Sequence, residues 1–540
     1  MDRQHPQSTA LLCVILAAAV VSANVITDEN ARAGTPGWPI TKWSVDAYGR
    51  SIAIEGYCSE LSVAAGQTFN VYVSTNPASQ YTCQLYRLGY YGGAGARLVA
   101  SYGPFEGSVQ PTPVAPRLFL NECRWSVGFT VTVGNDWVSG VYLGKLTATA
   151  SGNQSYIIFV VHDNRQCDFL LKVSDFTWQA YGRWPRMASL YCLPDQSDCG
   201  MYYGYDVAVS FDRPYAAYTN FSMLPDTSQR SVGSGCFLMF EWPLAYFMEQ
   251  NGYDVSYISC IDAHRDPDRL KRTHAILSVG HDEYWTEAMY DNHIAARQNG
   301  VGHAFFSGNA AYCAVSLTPS WDNRPNRVIQ RIHTFSDEKE LIGATSYGVG
   351  WGHFRCTNPS HWMYEGTGMQ QGDSIFLLMG WEYHGAPLRS NAVVFSTGVL
   401  DYNGGEPVTY HSTTYESELG GTVVNAATIF WSMPLARNGM TPIPGHLNHG
   451  GTWRMRGWPQ DARVQRMTVN ALNRLGRITT PVRLTPSVRA AVSAPGMCRQ
   501  TCDLRGSVVR GAGTGARTRA PGAYVRKADG SVTLTVLPLD

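Results

Sequence analysis

Short runs in which hydrophobic and polar residues alternate fill the first third of the chain. They lie between Trp43 and Val161 and are separated by Gly and Asn; the clearest are Ser51–Ile54, Thr68–Val73, Thr130–Val133 and Ser155–Val161. A period of two predicts half-buried β-strands, and strands at this spacing are typical of a sandwich. We therefore predict an immunoglobulin-like β-sandwich over residues 43–162.

The pattern changes after Cys167, where apolar strand-like runs alternate with helical ones. The predicted strands are Phe169–Val173, Asp254–Ile258, Ala275–Val279 and Val301–Phe306. The predicted helices are Trp242–Gln250, Thr286–Asn299 and Asp461–Arg474. This order predicts a multidomain chain whose second part is an α/β domain, residues 165–480, with a mostly parallel sheet and Rossmann-like or glutamine-amidotransferase-like layering.

The two ends of the chain differ from the middle. Arg3, the apolar run Ala10–Val21 and the small residues Ser22 and Ala23 predict a signal peptide over residues 1–23. The run is too short to span a bilayer comfortably, although a membrane anchor is the alternative. We expect a secreted protein without a membrane span in its mature form. Residues 485–540 are rich in Arg and Gly and are predicted to be a disordered tail.

Charge and cysteine content restrict the function further. Lys+Arg and Asp+Glu both number 42, so the formal charge is zero, which argues against nucleic acid or an anionic membrane surface as the main partner. There are 13 cysteines, and one of them, Cys13, lies in the predicted signal peptide. The remaining even number suits disulfides in an oxidising compartment. The pairs considered are Cys192 with Cys199, Cys498 with Cys502, and two of Cys58, Cys83 and Cys123.

The segment Ser278–Trp285 is the strongest candidate for chemistry. It begins where a buried strand ends, and reacting residues gather beyond the carboxyl ends of parallel strands. It carries three ionisable or metal-capable side chains, His281, Asp282 and Glu283, and the phenol of Tyr284. A free phenol has a pKa of about 10, but a bound ferric-type cation would lower the pKa of Tyr284. The alternative is a helix capped by Asp282 or Thr286, with Tyr284 packed in the core.

Three further polar residues are expected near the same edge of the sheet. Glu382 follows the apolar run Ile375–Met379, and Glu241 opens the helix that precedes the strand containing Tyr257. Asn309 follows the strand that ends at Phe306 and can donate a hydrogen bond to a developing oxyanion. The alternative for Asn309 is a simple turn residue.

Other chemistries lack a motif. The chain contains neither Gly-x-Ser-x-Gly nor His-Glu-x-x-His, the motifs typical of a common class of serine hydrolase and of a common class of zinc protease, so neither class is supported. Cys236 and Cys313 are better explained as disulfide partners or buried thiols than as nucleophiles. His446 and His449 lie in a Gly/Pro/Asn loop, which favours solvated histidines over a metal pair.

Several motifs together resemble a known family. The second domain resembles the C-terminal domain of the N,N-dimethylformamidase large (beta) subunit family at Ser210–Tyr215, Asn251–Tyr257, Gly280–Trp285, Phe306–Asn309, Gly366–Met369 and Gly380–Glu382. The first domain looks like the sandwich that precedes it in many secreted relatives, at Tyr86–Gly93 and Trp137–Tyr142. The likeness covers about residues 43 to 475.

The resemblance implies a mononuclear iron held by two tyrosines and one glutamate, acting as a Lewis acid on an amide. Tyr284 falls on the family's His-x-Glu-Tyr motif and is the first predicted ligand. Glu382 is the predicted glutamate, with Glu365 as the alternative. The second tyrosine is not placed; Glu241 stands near its expected position and is the third predicted metal ligand, with Tyr246 and Tyr257 as the alternatives.

These observations predict a secreted iron-type hydrolase of small amide-like C–N bonds. His281 or Asp282 would orient water or act as the base, and Asn309 or His384 would bind the substrate carbonyl. One alternative is a non-catalytic secreted protein that binds glycans or a wall component after losing the metal. Another is a glycoside hydrolase with Glu241 and Glu382 as its carboxylates.

Overall fold

The structure is a computed structural model, and the residues it describes are 24–113, 120–186, 189–191, 207–217, 229–335, 338–345, 348–401, 406–436, 459–478, 525–526 and 532–533. The chain divides into two compact units, Met1–Thr485 and Pro486–Asp540. In the second unit the described residues form one antiparallel pair, Val525–Arg526 with Val532–Thr533. Several predictions fall outside the described residues: the signal peptide, most of the tail, Cys192, Cys199, Cys498, Cys502, His446 and His449.

The first part of the main unit is built from strands, as the alternating pattern predicts. Helix α1 (Val25–Asn30) precedes eight strands: β1 (Ile54–Cys58), β2 (Ser62–Ala64), β3 (Thr68–Thr75), β4 (Gln80–Leu88), β5 (Ala96–Glu106), β6 (Val127–Thr132), β7 (Gly140–Ala148) and β8 (Gln154–His162). They form a three-stranded sheet in the order β1-β3-β6 and a five-stranded sheet in the order β2-β8-β7-β4-β5.

The two sheets share one apolar core. Every second residue of β3 points into it, beginning with Phe69, Val71 and Val73. Phe69 packs on Phe159 of the other sheet, with ring centroids 4.7 Å apart. Burial of these alternating side chains is the main driving force for this part of the fold.

The second part of the main unit mixes helices and strands. Its elements are β9 (Cys167–Lys172), α2 (Asp175–Tyr181), β10 (Ala208–Ser210), α3 (Phe237–Phe240), α4 (Trp242–Gln250), β11 (Val255–Ile258), α5 (Cys260–Arg265), β12 (Thr273–His281), β13 (Tyr284–Trp285), α6 (Glu287–Gln298), β14 (Gly302–Gly308), β15 (Cys313–Thr318) and β16 (Val328–Thr334). They continue with α7 (Glu338–Ile342), β17 (Gly348–Val349), β18 (Gly352–Arg355), β19 (Ser374–Met379), β20 (Glu382–Tyr383), β21 (Val393–Leu400), β22 (Val408–Glu416), β23 (Thr422–Asn425) and α8 (Ala462–Leu475).

A seven-stranded sheet carries this part, in the order β11-β9-β12-β14-β23-β22-β21. The pairs from β11 to β23 are parallel, and β22 and β21 add antiparallel strands at one edge. The predicted parallel strands are therefore confirmed, within a sheet that is mixed as a whole. Parallel order places the carboxyl ends of β9, β12 and β14 side by side.

A buried charged network joins the two parts. Arg87 of β4 forms an ion pair with Glu249 of α4 at 2.9 Å, and neither side chain is exposed to solvent. Tyr257 of β11 donates a hydrogen bond to the same carboxylate at 2.7 Å. These contacts fix the strand-rich part against the mixed sheet.

The structure also bears on the predicted disulfides and on the question of a membrane span. The eight described cysteines, including Cys58, Cys83 and Cys123, are buried free thiols, so the pairing predicted among those three is not seen. A buried thiol packs as a small apolar side chain, and an even count of cysteines is therefore a weak guide to disulfides. Cys236 and Cys313 are buried thiols, one of the two predicted outcomes. In the described part of the chain, no helix is long and apolar enough to cross a membrane.

Candidate active site

Two glycines shape the strand ends that build the site. Gly280 has a φ of 69°, and a Cβ there would lie 2.3 Å from that of Phe240. A side chain at this position would clash, so glycine lets β12 turn toward its last residue, His281. A Cβ on Gly308, at the end of β14, would lie 2.2 Å from the carbonyl oxygen of Glu382. Glycine here lets the backbone that carries Glu382 approach the sheet.

One histidine and two glutamates meet beyond these strand ends. His281, Glu283 and Glu382 are buried, and one ligand atom from each lies within 4.8 Å of the others. Nε2 of His281 is 2.5 Å from Oε2 of Glu382 and 3.3 Å from Oε2 of Glu283. Imidazole and carboxylate are common metal ligands, so this group can hold a metal ion.

Two phenols complete the arrangement around Glu283. Tyr181, the last residue of α2, donates a hydrogen bond to Oε2 of Glu283 at 2.6 Å. Tyr191 donates to Oε1 of the same carboxylate at 2.9 Å. The two phenol oxygens are 3.0 Å apart. The two phenol oxygens and both carboxylate oxygens of Glu283 therefore form one small buried group of four oxygen atoms.

Burial and mutual charge set the protonation of this cluster. Burial raises the pKa of Tyr181 and Tyr191 well above that of a free phenol, and the Glu283 charge raises both further. Burial also acts to raise the pKa of Glu283, but hydrogen bonds with His281 and both phenols outweigh it and lower that pKa. Without a cation, the phenols remain protonated donors around an ionised carboxylate.

Burial and a neighbouring carboxylate also act in opposite directions on the pKa of His281. Burial acts to lower the pKa of His281, but the neighbouring Glu382 charge raises it to about 10. Burial raises the pKa of Glu382 itself. We conclude that one proton is shared between the two side chains, mainly as imidazolium and carboxylate.

Of the three predicted metal ligands, Glu382 lies in the cluster, Tyr284 lies at its edge, where its phenol hydrogen-bonds with that of Tyr191, and Glu241 lies outside it. Oη of Tyr284 accepts a hydrogen bond from Arg331 at 3.0 Å, and its ring lies 6.1 Å from that of Tyr181. Oε1 of Glu241 accepts hydrogen bonds from Trp178 at 2.9 Å and from the backbone N–H of Ser174 at 3.2 Å. Burial raises the pKa of Glu241 to about 8, so without a cation this carboxyl is mainly protonated at neutral pH.

The alternatives considered for the ligands lie elsewhere. Glu365 is exposed. Tyr246 packs its ring against Trp242 and Tyr90. Tyr257 donates its hydroxyl to Glu249 in the network that joins the two parts of the main unit.

Among the predicted catalytic residues, His281 lies at the centre and Asn309 beside it. Nδ2 of Asn309 donates to Oε2 of Glu382 at 3.1 Å, so this amide holds the carboxylate. Its Oδ1 is buried and has no hydrogen-bond partner among the described residues. The Asn309 amide, which we expected to donate a hydrogen bond to an oxyanion, donates to Glu382 in this structure.

Asp282 and His384 face other partners. The Asp282 carboxylate is 2.7 Å from Nζ of Lys172. Nε2 of His384 accepts from the backbone N–H of Ala310 at 3.1 Å, and Nδ1 lies 2.6 Å from Oδ1 of Asn425. Both ring nitrogens are engaged, so His384 supports the turn after β14 and has no donor left for a substrate carbonyl.

Sequence reasoning missed Tyr181, Tyr191 and the central position of Glu283. Tyr181 follows β9 by one short helix, so the rule of strand ends could have found it. Glu283 stands in the segment that the sequence singled out, between two residues that were chosen. Tyr191 lies outside regular helices and strands, and no local pattern marks it.

The site defines a class: a buried cluster of histidine, carboxylate and phenol groups beyond a parallel sheet, suited to one metal ion. The chain matches the family described as N,N-dimethylformamidase beta subunit-like, C-terminal, over residues 82–443, and it belongs to that family. Membership indicates an amidohydrolase. A comparison with curated proteins gives no significant match.

Proposed function

We propose that this protein is an iron-dependent hydrolase of small amide-like C–N bonds and that Tyr181, Tyr191 and Glu283 hold the metal. The observation that carries the proposal is the contact of both phenols with the Glu283 carboxylate, Tyr181 with Oε2 at 2.6 Å and Tyr191 with Oε1 at 2.9 Å, and of the two phenol oxygens with each other at 3.0 Å. Two tyrosines and one glutamate are the ligand set that the family resemblance implies. This set replaces Tyr284, Glu382 and Glu241 as our assignment.

The donor atoms fit a hard, highly charged cation. All three are oxygens, and carboxylate oxygen suits hard cations. Two phenols beside one carboxylate would carry three negative charges once deprotonated, which a trivalent cation would neutralise. A bound cation lowers the pKa of its ligands, so it would offset the burial that keeps both phenols protonated. Bound iron would supply a Lewis acid that polarises an amide carbonyl.

The remaining residues would move the protons. Glu382 is held by Asn309 at 3.1 Å and by His281 at 2.5 Å, which places its carboxylate to accept a proton from a water molecule. The imidazolium of His281 then returns a proton to the leaving nitrogen. Burial of all three side chains excludes bulk water and strengthens these charged contacts.

We further propose that the protein is secreted and that its N-terminal strands form an immunoglobulin-like sandwich. The charged, apolar and small-residue regions of residues 1–23 support export. Two sheets around one core support the sandwich. The substrate proposed for the exported enzyme is a small molecule or a glycan.

Metal analysis with a matched pair of variants tests the proposal. The purified full-length protein is expected to contain iron, to show a visible phenolate-to-iron absorption band and to hydrolyse N,N-dimethylformamide or a related small amide. Glu283→Gln should lose the iron and the band. Glu241→Gln changes an equally buried carboxyl outside the cluster and should keep both. A folded wild-type protein that takes up no iron, or a Glu283→Gln variant that keeps it, would contradict the proposal.

A further inference from the structure

A buried ion pair lies behind the active site and takes no part in the chemistry proposed above. Lys172 ends β9, and Asp282 follows the end of β12. Nζ of Lys172 lies 2.7 Å from each carboxylate oxygen of Asp282, and neither side chain is exposed. Oγ of Ser278 donates to Oδ2 of Asp282 at 2.6 Å.

The ammonium group is held from further directions. Sγ of Cys260, at the start of α5, lies 3.7 Å from Nζ of Lys172. The ring of Trp285 in β13 has its centroid 4.6 Å from the same nitrogen. Contacts from β12, β13 and α5 therefore leave Lys172 a single buried position.

The ion pair can influence the active site because Asp282 lies between His281 and Glu283 in the sequence. Successive side chains of an extended segment point to opposite faces. The side chain of Asp282 is directed to Lys172, whereas those of His281 and Glu283 meet at 3.3 Å on the site side. Fixing the middle side chain fixes the direction of its two neighbours.

Several hydrogen bonds hold the backbone of the same segment, among them those that Oγ1 of Thr177 accepts from the N–H groups of Glu283 at 3.0 Å and Tyr284 at 3.2 Å. The carbonyl oxygen of Asp282 accepts from the backbone N–H of Ala311 at 3.0 Å and from Nε1 of Trp285 at 2.8 Å. These bonds hold the peptide backbone, whereas the direction of the Asp282 side chain is set by its contacts with Lys172 and Ser278.

Stability alone does not account for an ion pair at this depth. Desolvation of two buried charges consumes most of their attraction, and a well-packed apolar pair is often as stable. An apolar pair, however, lacks the directional constraint of an ammonium that contacts both oxygens of one carboxylate. Compared with an apolar pair, the ion pair therefore adds a fixed direction of the Asp282 side chain.

We propose that Lys172 and Asp282 are positioning residues, whose ion pair aims His281 and Glu283 into the active site. The consequence for His281 is independent of any metal. The consequence for iron binding rests on the proposed function, because Glu283 is one of the assigned ligands.

The test uses the full chain with Lys172→Met/Asp282→Asn, which removes both charges and so leaves no unpaired buried ion. The matched control is Arg87→Met/Glu249→Gln, which removes another fully buried ion pair outside the active site. The first readout is the ¹⁵N chemical shift of the His281 ring, assigned with His281→Gln, in metal-free protein. The second is iron affinity, measured by competition with a chelator.

We expect the His281 signals to shift in Lys172→Met/Asp282→Asn and to stay unchanged in the control. We also expect iron affinity to fall by about 10- to 100-fold, the usual effect of removing a group that orients a ligand. Unchanged His281 signals in the folded variant would overturn the proposal, as would an equal shift in the control.

Two further outcomes remain informative. If the double variant does not fold, Lys172→Arg keeps the charge but changes its geometry, and it should shift the His281 signals; no shift overturns the proposal. If His281 responds as expected but even the wild type binds no iron, the positioning role stands and the proposed metal function fails.

Discussion

Nε2 of His281 lies 2.5 Å from Oε2 of Glu382, although the two residues come from distant parts of the chain. His281 ends the central parallel strand β12, and Glu382 begins β20 in the loop-rich region beyond it. Because of this contact, the stability of the protein depends on the protonation state of His281. The arrangement of the site can therefore be tested by unfolding experiments without a substrate.

Glu382→Gln should destabilise the metal-free protein in a pH-dependent way. The Glu382 charge raises the pKa of His281 to about 10, against about 6.5 in an unfolded chain. Its stabilising effect is therefore fully present below about pH 6.5 and is lost as the pH rises through 10. Breaking a buried pair by removing one partner typically costs about 3–5 kcal/mol.

Urea unfolding in the presence of a chelator measures this effect. The difference in unfolding free energy between wild type and Glu382→Gln should be largest near neutral pH and narrow as the pH approaches 10. Glu365→Gln alters an exposed glutamate and should show no such trend. A constant difference across this range would contradict a charged His281.

Tyrosine variants should separate the assigned ligands from the predicted one. Tyr181→Phe or Tyr191→Phe removes one of the two phenol ligands and should weaken and shift the visible band, with at least a tenfold loss of iron affinity. Tyr284→Phe removes a phenol that contacts Arg331 and Tyr191 but not Glu283, and the variant should keep the iron. Loss of the band only in Tyr284→Phe would restore the assignment made from the sequence.

The different positions of Tyr284 and Glu283 show which parts of the fold and of the site could be predicted from the sequence. Hydrophobic runs predicted β9, β11, β12 and β14, and the rule of strand ends located His281, Asn309 and Glu382. Motif matching then favoured Tyr284, whereas the period of two in an extended segment places His281 and Glu283 on the same side. Tyr191 could not be found, because only the folded chain brings its hydroxyl to Glu283.

Breaking the ion pair between Arg87 and Glu249 should destabilise the whole main unit. Arg87→Met leaves Glu249 buried without its cation, although Tyr257 still donates to it. We expect a loss of about 3–5 kcal/mol in unfolding free energy, measured by urea titration. Arg32→Met is the control, because Arg32 is 47% exposed in its contact with Glu29 and such surface pairs contribute about 0–1 kcal/mol. Equal effects of the two variants would show that the buried network does not join the two parts.

His384 should make the protein sensitive to mild acid. Burial lowers the pKa of His384 to about 4, and its Nε2 accepts a hydrogen bond from Ala310, which requires an unprotonated nitrogen. In the unfolded chain the same group titrates near 6.5, so unfolding takes up a proton between about pH 4 and about pH 6.5. Stability therefore falls as the pH drops through this interval, by up to about 1.4 kcal/mol per pH unit for this residue.

His384→Gln should remove that contribution. The variant is expected to be less stable near neutral pH, because it loses the contacts with Ala310 and Asn425, but its unfolding free energy should change less steeply between about pH 4 and about pH 6.5. His333→Gln, at a histidine whose side chain is 44% exposed, should leave the slope as it is in the wild type. A slope equal to that of the wild type in His384→Gln would mean that His384 is already charged in the folded protein, and that the turn carrying Asn309 is held by something other than the Ala310 N–H bond.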